Sequence, residues 1–282
     1  MSTLSTLKIA FIGGGNMASA MIGGLMKQGV QAKHIYVADP FDETRQRLER
    51  DLSIIAAASV DKLAPHIESC DVVVLAVKPQ QFKIAANELE QVLKNFSTPP
   101  LCMSVAAGIK STDMVNWLGH SRIIRAMPNT PALIGEGMTG LYANPQVNAT
   151  DRQLASNICA AVGKVVWVES EKQMDDITAV SGSGPAYVFA FLEALEKSAI
   201  AQGLNQEQAS LLAIQTLQGA AKLAANSSES PATLREKVTS KGGTTFAALQ
   251  VLEQSDWSAI LMKAVAAASQ RSAEMGQEFS NQ

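Results

Sequence analysis

The first segment with chemical capacity is a glycine-spaced turn just behind a short apolar run: Gly13-x-Gly15-x-x-Ala18, within KIAFIGGGNMASAMIGGL. In such a turn Gly13 permits the tight reversal and Gly15 lets the backbone approach a diphosphate. Ala18 keeps the following helix close to the sheet, and the helix start offers free N–H groups and the positive end of its dipole. The chemistry this suits is dinucleotide binding, with Gly13, Gly14, Gly15, Asn16, Met17 and Ala18 as contacts. A glycine match alone is weak. Here it follows a strand candidate, opens a helix and begins a βαβ pattern, which is the context such a site requires. Asp39 ends the second strand candidate, where an adenosine ribose is read. Its carboxylate favours NAD by repelling a 2′-phosphate, while Arg45 and Arg47 follow closely enough to screen that charge.

Two later loops fall at strand ends, where open α/β sheets bind ligands: Ala76-Val77-Lys78-Pro79, and 104–108 with Ala106 and Ala107. Lys78 is either a solvated lysine or a cation beside the cofactor. Two further loops belong to the second half. Ser181-Gly-Ser-Gly-Pro-Ala-Tyr187 reads as a helix start with Gly184 as its cap and Pro185 in the first turn. It either faces a ligand, through Ser183 among others, or packs against another element. Thr239-Ser-Lys-Gly-Gly-Thr-Thr245 sets two glycines and two hydroxyls at another helix start. That is a cradle for a carboxylate or an ordinary capped turn.

The elements that position these loops follow from periodicity. Strand candidates lie at 8–12, 35–39, 72–76, 101–104, 123–126, 138–142 and 164–168, with helical spacing between most of them. This alternation predicts βαβ units and a mostly parallel sheet. The uninterrupted aliphatic run 72–77 fits a strand covered on both faces. After Glu169 the β-branched runs stop and alanine-rich helical stretches take over at 185–202, 206–225, 232–240, 246–253 and 257–277. The reading is an N-terminal Rossmann-like, doubly wound domain over 1–170, followed by an all-α domain over 171–282. Small residues along the last helix favour close helix packing, and a dimer.

Composition removes several alternatives. With 47% hydrophobic residues in 282 the chain can bury a core, unlike a disordered sequence. A net charge of −3 without a dense basic block gives no surface for nucleic acid or anionic membranes. No signal peptide opens the chain and no aliphatic run is long enough to span a bilayer, so a cytoplasmic protein is expected. Three scattered cysteines and three histidines share no ligand spacing, so no metal site is expected.

At 231–253, PATLREKVTSKGGTTFAALQVLE resembles the signature segment of pyrroline-5-carboxylate reductases. FIGGGNMA, AVKP, SVAAGI, RAMPNTPALIGEGMTGLY and SGSGPAY are similar to that family's pattern in the same order, so the resemblance spans nearly the whole chain. It implies a Rossmann domain, a helical dimerisation domain whose copies interlock near the active sites, and reduction of 1-pyrroline-5-carboxylate to L-proline, the last step of proline biosynthesis. It implies NADPH as cofactor, with NADH left open by Asp39.

A protonated cyclic imine is already a hydride acceptor, so the protein need only orient it and hold its carboxylate. Gly242, Gly243, Thr244 and Thr245 are assigned to the carboxylate, with Thr245 also bonding the ring nitrogen, a role the resemblance implies as well. Asn129 either positions the nicotinamide or braces its loop. Hydroxyacid dehydrogenases of related architecture place a lysine one turn into the helix after their glycine loop. Here Val188 and Leu192 stand there, and no buried base is evident.

Overall fold

The computed structural model describes residues 4–281. Eight strands form one sheet: β1 Ile9–Ile12, β2 Ile35–Ala38, β3 Ile55–Ala57, β4 Val72–Leu75, β5 Leu101–Ser104, β6 Ile123–Met127, β7 Gly137–Ala143 and β8 Gly163–Trp167. Their order is β3-β2-β1-β4-β5-β6-β7-β8. All neighbours are parallel except β6 and β7. The β6–β7 connection holds only the short turn Thr130–Ile134, too little chain for a parallel crossover.

Helices α1 Asn16–Lys27, α2 Asp42–Leu52, α3 Val60–Ile67, α4 Pro79–Leu93, α5 Ser111–Leu118 and α6 Ala149–Ala160 lie between the strands. Strand side chains alternate between two cores. Ile9, Phe11, Val37, Val74 and Met103 pack in one; Ala10, Ile12, Ala38, Leu75 and Cys102 pack in the other. Burial on both faces explains why these strands read as continuous aliphatic runs. The seven strand candidates each fall on a strand. The three-residue β3 escaped notice because it is an edge strand, partly exposed, and carries the bland triplet Ile-Ala-Ala.

The second half is helical: α7 Gln173–Ile177, α8 Gly184–Ala201, α9 Gln206–Ala225, α10 Pro231–Lys237, α11 Thr244–Gln254 and α12 Trp257–Ser280. Two compact units result. One runs up to Ser183 and takes back the chain from Ala268; the other is Gly184–Ala267. The compact boundary thus falls later than 170/171. The segment after Glu171 stays with the sheet because Glu171 bonds Arg125 of β6 and Ile177 packs on Gly140 of β7. The chain from 268 rejoins that unit through Ser272, which bonds Asp175, and Phe279, buried in the second core.

The Gly184–Ala267 unit has almost no interior of its own. Its helices α8, α10 and α11 contain no buried residue, and α9 buries only Ala209 and Ala213. No helix among the described residues is long and apolar enough to cross a membrane.

Candidate functional site

The strand order reverses direction between β1 and β4, and ligands of open α/β sheets bind at the strand ends beside such a point. The glycine turn sits there. Gly13 has φ +98°, and a Cβ on it would stand 2.7 Å from the carbonyl oxygen of Ala76. No side chain fits that position. Gly15 is the N-cap of α1, without a side-chain cap, and a Cβ there would meet nothing within 4 Å. The first amides of α1 therefore face open space beside an unobstructed backbone, as an anionic diphosphate requires. Asn16 is exposed, Met17 half-buried and Ala18 fully buried against the sheet.

Asp39 is 7% exposed. Its Oδ2 accepts the Gly14 N–H at 2.8 Å and its Oδ1 accepts the Phe41 N–H at 2.9 Å. The carboxylate thus pins the glycine turn to the end of β2. The arginines do not pair with it directly. Arg45 bonds the Asp39 carbonyl oxygen at 2.7 Å and pairs with Asp42; Arg47 bonds the Gly14 carbonyl oxygen and Ser19 Oγ, each at 3.1 Å. A cavity of about 270 Å³ opens over the ends of β1, β2 and β3, lined by Gly13, Asp39, Ser59 and Val77 among others. Its size and apolar walls suit one planar ring system. Sequence reasoning missed Ser59 and the α4 wall (Gln81, Ile84) because no motif marks them.

Of the two later loops, Ala76 gives its N–H to Ile12 and holds the back of the turn. Lys78 is the exposed N-cap of α4 with Pro79 first in the helix. Ala106 buries its methyl and gives its N–H to Ser104 Oγ, so neither group faces a ligand, whereas Ala107 is half-buried. Asn129 is fully engaged: Nδ2 donates to the carbonyl oxygen and Oγ of Ser181 at 3.1 and 3.3 Å, and Oδ1 accepts the Met138 N–H at 2.9 Å. It braces its loop.

The Ser181–Tyr187 segment departs from the expected capped helix start. Residues Thr178–Gly182 form a wide, π-type helical turn and Ser183 is itself right-handed helical, with its N–H given to the Thr178 carbonyl oxygen at 2.8 Å. The backbone runs through Gly184 in helical form, so no open helix end exists there. Wide turns of this kind are held by their surroundings and leave no capping signature.

The Thr239–Thr245 segment does form an open helix end. Gly242 has φ +71°, Gly243 is the N-cap of α11 and supplies no side-chain cap, and Thr244 and Thr245 are exposed with hydroxyls that make no hydrogen bond. The first amides of α11 have no partner within the helix, so amides and hydroxyls together offer a cluster of donors with no carboxylate among them. Earlier in the helical half, Glu193 of α8 is exposed and paired with Lys197, which holds its carboxyl below the usual range. It is a surface charge, not a base.

The three thiols are sealed in the cores. Burial pushes Cys70, Cys102 and Cys159 each up to about 12, so none offers a thiolate near neutrality.

Comparison with known proteins places this geometry. Residues 171–275 match the model for pyrroline-5-carboxylate reductase dimerisation, and residues 8–108 match that for NADP oxidoreductase coenzyme F420-dependent. The chain is 44% identical to the pyrroline-5-carboxylate reductase of Pseudomonas aeruginosa over 98% of its length and 99% of that protein. The chain belongs to the pyrroline-5-carboxylate reductase family. Among solved structures it is similar to the pyrroline-5-carboxylate reductase of Coxiella burnetii, at 40% identity and a TM-score of 0.90, covering 96% of this chain and 98% of that one. The Plasmodium falciparum pyrroline carboxylate reductase with NADP bound gives 30% identity and a TM-score of 0.83, covering 96% and 99%. The family's dimerisation segment begins at 171, where the β-rich pattern ends in the sequence, although compactness divides the chain at Ser183.

Proposed function

We propose that the chain reduces the C=N bond of 1-pyrroline-5-carboxylate to give L-proline, the last step of proline biosynthesis, with NADPH as the preferred donor. The observation that carries this reading is the open start of α11: unbonded hydroxyls of Thr244 and Thr245 over free amides, with a left-handed Gly242 beside them. An array of donors without a carboxylate or a general base suits an imino acid's carboxylate and reduction of an already electrophilic C=N bond.

The roles follow from the chain's own groups. Gly13 and Gly14 shape the turn, Gly15 and the first amides of α1 hold the diphosphate, and the cavity beside Asp39 takes the adenosine end. Gly242, Gly243, Thr244 and Thr245 hold the substrate carboxylate, and the Thr245 hydroxyl bonds the ring nitrogen. The bound dinucleotide supplies a hydride. NADPH is favoured because both Asp39 carboxylate oxygens already serve backbone N–H groups, which leaves the acid less free to select a bare ribose. The relative from Plasmodium falciparum, which has NADP bound, supports the same choice.

The enzyme works in the cytoplasm as a homodimer or larger homo-oligomer through its helical unit. Phe189, Leu211, Ile214, Val251, Ile260 and Met262 are each more than half exposed, an apolar area that a second copy would cover. Steady-state kinetics with 1-pyrroline-5-carboxylate and either NADPH or NADH tests reaction and cofactor together. Cofactor oxidation dependent on the imine, with the higher kcat/KM for NADPH, is expected; absence of turnover ends the reading.

A further inference from the structure

A second cavity, of about 280 Å³, lies on the sheet-bearing unit away from the glycine turn. It opens between the start of α5, the end of β6, α7 and the last turns of α12. Its volume is at the low end for ligand sites, room for a molecule of amino-acid size and too little for a dinucleotide.

Its lining carries unusual polar resources. Arg125 has a side chain only 8% exposed, with one bond, from Nη1 to Glu171 Oε1 at 2.6 Å. The other guanidinium nitrogens have no partner, yet they are not among the sealed, unbonded side-chain atoms. They must therefore meet open space, and the space Arg125 lines is this cavity. Glu171 is largely engaged: Oε1 accepts from Arg125 and from the Ser111 N–H, and Oε2 accepts the Ser111 hydroxyl. Lys110 and Lys172 line the cavity without any partner. Asp175 lines it with Oδ1 bonded to Ser272 Oγ at 2.7 Å and Oδ2 unbonded.

A buried arginine with free N–H groups costs stability unless something accepts those bonds. Water can serve, but the arrangement is more selective than water needs. Arg125 and two lysines supply donors to the lining, and Asp175 Oδ2 is a carboxylate oxygen without a bond, beside the unbonded amide of Gln277. A ligand matching both carries a carboxylate and an ammonium, and the volume of about 280 Å³ suits a small one such as an α-amino acid.

We propose that this cavity is a second small-molecule site, distinct from the glycine turn and the α11 cradle, and that it binds a free α-amino acid. The ligand's carboxylate bonds Arg125 between Lys110 and Lys172, and its ammonium bonds Asp175 Oδ2. The proposal does not depend on which reaction the enzyme catalyses.

The test uses the whole enzyme without substrate and follows its thermal midpoint against three probes: L-alanine, propionate (which lacks its ammonium) and ethylamine (which lacks its carboxylate). Specific binding raises the midpoint as the logarithm of one plus ligand concentration over Kd, steeply at first and then logarithmically, whereas general solvent effects grow linearly. L-alanine is expected to follow the logarithmic curve, with propionate and ethylamine each needing a concentration about tenfold or more higher for the same shift, as for loss of one charge-assisted bond. The double variant Lys110→Gln/Lys172→Gln, whose side chains hold no partner, should keep its unliganded midpoint and weaken L-alanine by about tenfold or more. Thr245→Ala should leave the L-alanine response unchanged. A purely linear rise with L-alanine, equal response to propionate, indifference to the lysine double variant, or loss of the response in Thr245→Ala would each overturn the proposal.

Discussion

Asn129 Nδ2 lies 3.1 Å from the carbonyl oxygen of Ser181, across 52 residues of sequence. The contact joins the loop after β6 to the wide turn before α8. Because Oδ1 also holds the Met138 N–H, Asn129→Ala leaves both a donor and an acceptor unpaired. A loss of about 1–3 kcal/mol in unfolding free energy by urea titration is expected, with Asn129→Asp intermediate because it keeps the acceptor. A variant within about 0.5 kcal/mol of the parent, the range of an ordinary surface change, would show that the brace carries no load.

Asp39 gives the next prediction. Since both its oxygens hold backbone N–H groups of the glycine turn and its flank, Asp39→Ser should loosen the turn for either cofactor. KM for NADH and NADPH should rise by similar factors, about tenfold for one charge-assisted bond. A selective loss of NADH binding would instead make Asp39 a reader of the ribose.

For Thr245 the expected effect is on turnover. Its hydroxyl is exposed and unbonded, so Thr245→Ala should keep the melting temperature. Meanwhile kcat should fall by about 10- to 1000-fold, the range for losing a positioned donor. Thr245→Ser should recover most of it. Parental kinetics in the alanine variant would remove Thr245 from the chemistry.

His120 supplies a pH dependence. Burial, aided by the nearby Arg122, lowers its pKa from the ordinary 6.5, so the unfolded chain binds its proton more readily than the native one. The sign follows: the stability tied to neutral His120 is present above about pH 6.5 and is lost as pH falls towards the lower native value. His120→Gln should flatten that part of the stability profile. An unchanged slope between the two proteins would exclude the histidine as its source.

Legibility in the sequence tracked how local each feature is. The glycine turn, seven of the eight strands and the α11 start follow from spacing over a few residues, and each was readable. The wide turn at Thr178–Gly182 was not, since glycine and serine there look like a break, and only packing such as Ile177 on Gly140 holds the helix through it. Nor could any periodicity link Glu171 with Arg125 and Ser111, from which it is separated by 46 and 60 residues. Asp39 shows the limit inside a motif. Its position was legible, but its commitment to Gly14 and Phe41 was visible only in three dimensions.

The return of α12 to the sheet-bearing unit has a consequence for how the protein is made. Ser272 meets Asp175 across 97 residues, and Phe279 fills the core beside Gly108. Every strand leaves the ribosome before that helix is finished, so the nucleotide half waits with an open apolar seam until residue 279 has been translated. During that interval the nascent chain depends on whatever shields the seam, and a stall within the helical half would strand it there.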